Sequence, residues 1–82
     1  MNLCLLIGEI YSEIQFNFIL NCKNISIVRF NIKLSNGSII KVKGYNEIAD
    51  YCYSKLKEGD IVEIEGYLDY RIETIIKKMV KL

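Results

Sequence analysis

A small all-β barrel carrying one helix is the fold class this sequence predicts, on three observations. Apolar and polar residues alternate with period two over Val28 to Leu34 and again over Val62 to Leu68. An Asn36-Gly37 dipeptide separates two strand-like runs, where a hairpin needs residues that tolerate positive φ. Between Asn46 and Glu58 the apolar residues recur instead at four-residue spacing, the mark of an amphipathic helix. The 82 residues, 1–82, make one domain, because a chain below about 100 residues rarely holds two separate cores.

Leu3-Cys4-Leu5-Leu6-Ile7-Gly8-Glu9-Ile10-Tyr11 is a short apolar run broken by a glycine, which suits a strand that bends sharply. Ile14 to Leu20 alternates, and either continues that strand around a corner or forms a half-buried strand of its own. After a polar turn over Asn21 to Asn24, the second strand sets Val28, Phe30, Ile32 and Leu34 on one face and Arg29, Asn31 and Lys33 on the other. Beyond Ser35-Asn36-Gly37 the third strand sets Ile40, Val42 and Gly44 against Ile39, Lys41, Lys43 and Tyr45. Asn46 suits an N-cap and Glu47 a first helical turn, and Ile48, Ala49, Cys52 and Leu56 form the buried stripe of a helix running to about Glu58. Gly59 offers the left-handed residue that ends a helix. In the fourth strand Val62, Ile64, Gly66 and Leu68 alternate with Glu63, Glu65 and Tyr67. A turn near Asp69 leads to a last strand through Ile72 to Leu82, where Ile75-Ile76 and Met79-Val80 blur the alternation.

Composition narrows the chemistry. The chain has no histidine, so hydrolysis would need a lysine or carboxylate base, and three scattered cysteines cannot supply the four ligands of a structural zinc. Neither an enzyme nor a cofactor or metal is expected. A membrane span needs roughly 20 apolar residues, far more than the longest run, Leu3 to Ile7, which also lacks the basic flank of a signal peptide. Cys4, Cys22 and Cys52 cannot all pair within the chain, and they fit buried thiols in a reducing cytoplasm, with Cys22 the most accessible. Gly8, Gly44 and Gly66 read as bends or close approaches of a small barrel, since no phosphate-binding glycine motif is present. Glu63 and Glu65 read as a solvated strand face, paired with Lys77 and Lys78.

The net charge of +1 conceals an uneven order. From Leu20 to Tyr45 every charged residue is basic: Lys23, Arg29, Lys33, Lys41 and Lys43. Acids dominate from Asn46 to Glu73, and the C-terminal stretch is basic again. The alternation places Arg29, Asn31 and Lys33 on the same outward side of the hairpin as Lys41, Lys43 and Tyr45. Several cations on one surface are what phosphate neutralisation requires. Tyr45, Tyr67 and Tyr70 are candidates for exposed rings; Tyr45, beside the basic strand, is the one suited to base stacking. Phe16, Phe18 and Phe30 read as core, with one of the first two reaching the surface if the register slips.

A bent first strand, a hairpin, a helix and a final strand pair make the layout of a five-stranded OB barrel with its helix between strands three and four. In detail, Met1-Asn2-Leu3 leading into Leu6-Ile7-Gly8, Val28-Arg29-Phe30-Asn31-Ile32, Lys41-Val42-Lys43-Gly44, Ala49-Asp50-Tyr51, Lys57-Glu58-Gly59-Asp60 and Val62-Glu63-Ile64-Glu65-Gly66-Tyr67-Leu68, in that order, resembles the bacterial single-stranded DNA-binding protein family and its short PriB-like relatives. The resemblance implies a protein that binds single-stranded DNA, or RNA, without sequence preference, through Arg29, Asn31, Lys33, Lys41, Lys43 and Tyr45, in replication, recombination or repair. It also implies a homodimer or homotetramer paired through the first strand. The departures are a tight turn where the family has a long hairpin loop, no tryptophan, and a chain that stops at Lys81-Leu82 without an acidic tail, so tail-mediated recruitment is not expected. The alternative is a PriB-like interaction module that contacts other replication or recombination proteins and binds nucleic acid weakly or not at all.

Overall fold

A computed structural model describes residues 3–20 and 24–82; Met1, Asn2, Asn21, Cys22 and Lys23 lie outside the described residues. The elements are β1 (Cys4–Ile10), β2 (Gln15–Ile19), β3 (Ile25–Leu34), β4 (Ile39–Tyr45), α1 (Glu47–Lys55), β5 (Ile61–Leu68) and β6 (Thr74–Lys81). One sheet runs β1-β5-β6-β4-β3-β2, and β1 also pairs with β3, which closes the barrel. The ladders are antiparallel except for a short parallel contact that sets Val42 opposite Thr74. Five strands around a barrel with one helix is the OB architecture expected, once β1 and β2 are read as halves of the bent first strand.

Both halves run along β3. Ile10 faces Ile32 and Gln15 faces Arg29, so five steps on the bent strand oppose three on β3 and two residues are looped out at the corner. The backbone of Asn31 covers the gap. Its carbonyl accepts from the Tyr11 N–H at 2.9 Å, and its N–H donates to the Ser12 hydroxyl at 2.8 Å. A side chain thus supplies the partner that the looped-out backbone cannot.

The core takes Ile10 from β1, Val28, Phe30 and Ile32 from β3, Val42 from β4, Val62 and Ile64 from β5, and Ile76 from β6. Each such side chain contributes roughly 1.5–3 kcal/mol on burial. Ala49 and Cys52 from α1, and Leu56 just after it, seal the barrel, and α1 packs mainly on β3 and β4. Gly44 makes that approach possible, because a Cβ there would lie 2.7 Å from Ile48 Cγ2. Burial pushes the Cys52 thiol up to about 12, so it behaves as the small hydrophobe expected. Cys4 is only half-buried.

Several local expectations are corrected. The helix ends at Lys55, with Leu56 already extended. Asn46 holds the N-cap position at φ 57 without a side-chain cap bond. β4 enters the helix with almost no loop, so Asn46 spends its N–H on the Ser26 carbonyl and accepts from the Asp50 N–H through its own carbonyl. Gly59 is left-handed at φ 98, but in the turn into β5, where its N–H donates to the Ile10 carbonyl. In the hairpin Gly37 alone takes positive φ, while the Asn36 side chain accepts from the Ser38 N–H. Ile72 belongs to the turn before β6 and not to the strand. Glu65 faces Lys78 and Glu63 faces Val80, and among the described residues neither carboxylate reaches ion-pair distance of Lys77 or Lys78.

The blurred pattern of the last strand has a cause. Glu65 faces Lys78 but Gly66 faces Ile76, so Lys77 is an extra residue on β6. That bulge lets Ile76 and Met79, three apart, both turn to the core. It also brings β6 so close that a Cβ at Gly66 would run into the Ile75 carbonyl. Phe30 is core and Phe16 is half-buried, stacked on Tyr53 at 4.6 Å between ring centroids. Phe18 is 53 % exposed with its register unslipped, because it faces Ser26 near the end of the β2–β3 ladder.

Candidate nucleic-acid interface

Alternation along β3 and β4 sends Val28, Phe30, Ile32 and Val42 inward and leaves the intervening residues on the outer face. The register sets Asn31 against Lys41, Arg29 against Lys43, and Ile27 against Tyr45. Two hollows open on this face. A groove of about 360 Å³ runs between the looped-out corner, with Ser12, Glu13 and Gln15, and the strand residues Arg29, Asn31 and Lys41. A second of about 420 Å³ adjoins it, lined by Arg29, Tyr45, Tyr67, Tyr70 and Arg71. Arg29 is common to both.

The six residues expected at the site are not all placed alike. Arg29, Asn31 and Lys41 line the first groove, and Arg29, Lys43 and Tyr45 line the second. Lys33 lies outside both, its ammonium 4.8 Å from the centre of the Tyr11 ring. Lys43 departs furthest from expectation. It is 5 % exposed, not solvent-facing, because the 69–73 turn folds over it. Its ammonium lies 3.0 Å from Glu73 Oε1 and 3.8 Å from Asp69 Oδ2. The Glu73 contact is short, but its geometry falls outside that of a regular hydrogen bond. The Glu73 carboxylate is also the largest cause holding Lys43 above the ordinary lysine value, against the opposing cost of burial. A Lys43→Glu change would therefore set a third carboxylate against two others and disturb the fold.

The turn is built by Asp69. Its Oδ1 accepts from the N–H groups of Arg71 at 2.8 Å and Glu73 at 3.0 Å, and its own N–H donates to the Glu73 carbonyl. The Glu73 N–H is the largest cause of a lowered Asp69 pKa, followed after an opposing burial cost by the Arg71 N–H and the Lys43 charge. Tyr70 at the tip is 86 % exposed, with the Arg71 guanidinium 5.4 Å from its ring centre. Sequence reasoning noticed Tyr67 and Tyr70 but assigned them no role, and it passed over Arg71 and the Ser12-Glu13 corner. The residues that gather here lie far apart in the chain, and the pairing of β6 with β4, which sets Lys43 opposite Ile75, carries the turn across Lys43.

In the first hollow Arg29 and Lys41 are balanced by Glu13 and Glu73, whereas the second carries Arg29, Lys43 and Arg71 against Asp69 alone and is edged by three tyrosine rings. Such cations can neutralise phosphates and such rings can stack bases. No protein-family model matches the chain, and no curated protein matches it by sequence. Solved structures do. The crystal structure of the single-stranded DNA-binding protein from Thermus aquaticus superposes with a TM-score of 0.84 at 19 % identity, over 100 % of this chain and 40 % of that one. This chain thus spans about two fifths of that protein. The SSB domain of a Synechococcus sp. protein gives 0.84 at 19 % identity, over 96 % of this chain and 93 % of that one. A mitochondrial single-stranded DNA-binding protein from S. cerevisiae gives 0.82 at 16 %, over 98 % and 92 %. The chain has the OB barrel of these proteins.

Proposed function

We propose that this chain binds single-stranded DNA without sequence preference, along the outer face of β3 and β4. The observation that carries the reading is Arg29, which stands where the polar groove meets the tyrosine-lined one. A strand crossing that point meets Lys41 and Asn31 on one side and Tyr45, Tyr67, Tyr70 and Arg71 on the other. The OB barrels it resembles in shape are those of single-stranded DNA-binding proteins. Phosphates fall to Arg29, Lys41 and Arg71, and bases to Tyr45 and its neighbours. Lys33 stands at the far margin of this track, and Lys43 sits beneath it.

With three cations on the track the affinity for oligo-dT falls with salt at a log-log slope near −2, from about −0.7 per phosphate contact on single strands. Titration at several salt concentrations, followed by quenching of tyrosine fluorescence, tests this. Wild-type protein that shows no salt-sensitive binding at low ionic strength sinks the reading. Oligo-U in place of oligo-dT measures the preference for DNA over RNA.

A second reading has its own observation. Leu5 and Ile7 of β1 lie exposed opposite Glu65 and Glu63 of β5, with Ile61 of β5 and Val80 of β6 exposed on the same side, so that apolar residues and carboxylates interleave on this outward face. That face fits self-association through β1 into a homodimer or homotetramer, or, in a PriB-like interaction module, contact with a replication or recombination protein. Light scattering at micromolar concentration decides the first: a particle of 9.5 kDa excludes self-association. The one domain of 1–82 and its place in the cytoplasm belong to this same proposal; among the described residues no helix is long and apolar enough to cross a membrane.

A further inference from the structure

On the ladder between β3 and β4, Arg29 and Lys43 stand directly opposite each other. Two like charges in that position repel, so an anion between or above them is needed to settle the pair. In the chain by itself the 69–73 turn supplies it: Glu73 Oε1 at 3.0 Å and Asp69 Oδ2 at 3.8 Å from the Lys43 ammonium. Glu73 also lines the groove that holds Arg29 and Lys41, so its carboxylate occupies space on the track proposed for phosphates.

The turn that brings it there is strained. Ile72 sits at φ 62 and is 77 % exposed. A β-branched residue in the left-handed region persists only where its surroundings impose it. Here the imposing contacts are the two N–H bonds to Asp69 Oδ1, the Ile72 N–H bond to the Asp69 carbonyl, and the ion pairs to Lys43. Among these, the Glu73–Lys43 contact is the one a phosphate can replace in kind, anion for anion, without unmaking the Asp69 turn.

From this we infer that the 69–73 turn is an autoinhibitory latch, in which Glu73 stands in for a phosphate on Lys43 and is displaced when a single strand enters the groove. The inference rests on the single-stranded DNA reading above. Unlatched, the face offers four cations, Arg29, Lys41, Lys43 and Arg71; latched, it offers three. The acid thus sets affinity and salt dependence from a position that touches no base.

Oligo-dT titrations at several salt concentrations on the whole chain test it, comparing wild type with Glu73→Gln and Glu58→Gln. Glu58, exposed after α1, lines neither hollow and among the described residues holds no cation. Glu73→Gln is expected to steepen the slope from near −2 to near −3 and to tighten binding at 50 mM salt on the order of tenfold, the effect of one more phosphate contact. Glu58→Gln is expected to leave the slope unchanged, and adding Lys43→Gln to Glu73→Gln is expected to erase the gain. Should Glu73→Gln fail to fold, as read by thermal melting, Glu73→Asp, which draws the carboxylate back by one methylene, is expected to shift affinity in the same direction. Wild-type binding with an unaltered Glu73→Gln overturns the latch alone, as does an equal gain from Glu58→Gln. No binding by any of the proteins overturns the latch together with the DNA reading.

Discussion

Two outward faces of this barrel are made by the same device, strand alternation, and differ in what the alternate residues leave unsatisfied. On β3 and β4 the outer residues include Arg29, Lys33, Lys41, Asn31 and Tyr45, and the most buried cation among the described residues, Lys43, is already matched by Asp69 and Glu73. On β1, β5 and β6 they are Leu5, Ile7, Ile61 and Val80, exposed without a partner, interrupted by Glu63 and Glu65. The first face can answer a polyanion by exchanging one anion for another. The second gains only by losing water, which another apolar surface provides. A pattern of period two therefore tells where side chains point, and their chemistry separates a nucleic-acid face from an assembly face.

The sharpest way to break the contrast is to charge the apolar face. Leu5→Glu with Ile7→Glu, beside Glu65 and Glu63 in the ladder, is expected to abolish self-association at micromolar concentration while leaving the affinity for a short oligo-dT unchanged; sedimentation and a binding titration read the two effects. On the other face Arg29→Ala is expected to cost about 1–3 kcal/mol of oligo-dT affinity and to flatten the salt slope by about 0.7, since one phosphate contact is lost. Tyr45→Ala is expected to cost about 1–3 kcal/mol if a base stacks there, with the salt slope unchanged. Equal losses of slope in both variants would erase the division of labour between cation and ring.

The smallest expected effect concerns acid. Asp60 accepts from the Lys57 N–H at 3.0 Å, the first cause of its lowered pKa, and lies near the Lys57 and Lys81 ammonium groups; Asp69 is lowered by the Glu73 and Arg71 N–H groups. A carboxyl with a folded pKa below its unfolded value of about 3.9 stabilises above that value and loses the contribution as pH falls through the folded one. Melting temperature is therefore expected to fall below about pH 4, and Asp60→Asn to reduce the drop. Lys43 has the opposite sign: its contribution is complete below about pH 10.4 and fades as pH rises through its raised folded value. Glu73→Gln should blunt that alkaline loss.

Strand order, the bent first strand and the helix were legible because each rests on a local pattern: the glycine-broken run at Leu3 to Tyr11, the alternation of Val28 to Leu34, the four-residue stripe of Ile48, Cys52 and Leu56. The bulge at Lys77 also left a trace, as the blurred alternation around Ile75-Ile76. What could not be read was set by distance along the chain. Nothing near Lys43 in sequence announces Asp69 and Glu73, so a residue with the spacing of a solvent-facing cation is buried. Arg71 and the Ser12-Glu13 corner reach the site only through the pairing of β6 with β4 and the two residues looped out beside Asn31. Asn46 has the composition of an N-cap, but β3 claims its backbone first.

The most direct test of the contrast between the two faces is residue-resolved NMR during titration of the whole chain with a short oligo-dT at low salt. The account predicts shifts concentrated at Arg29, Asn31, Lys41, Tyr45, Tyr67, Tyr70 and Arg71, with Leu5, Ile7, Ile61 and Val80 silent. Shifts confined to the β1–β5–β6 face, or none at all, would contradict it.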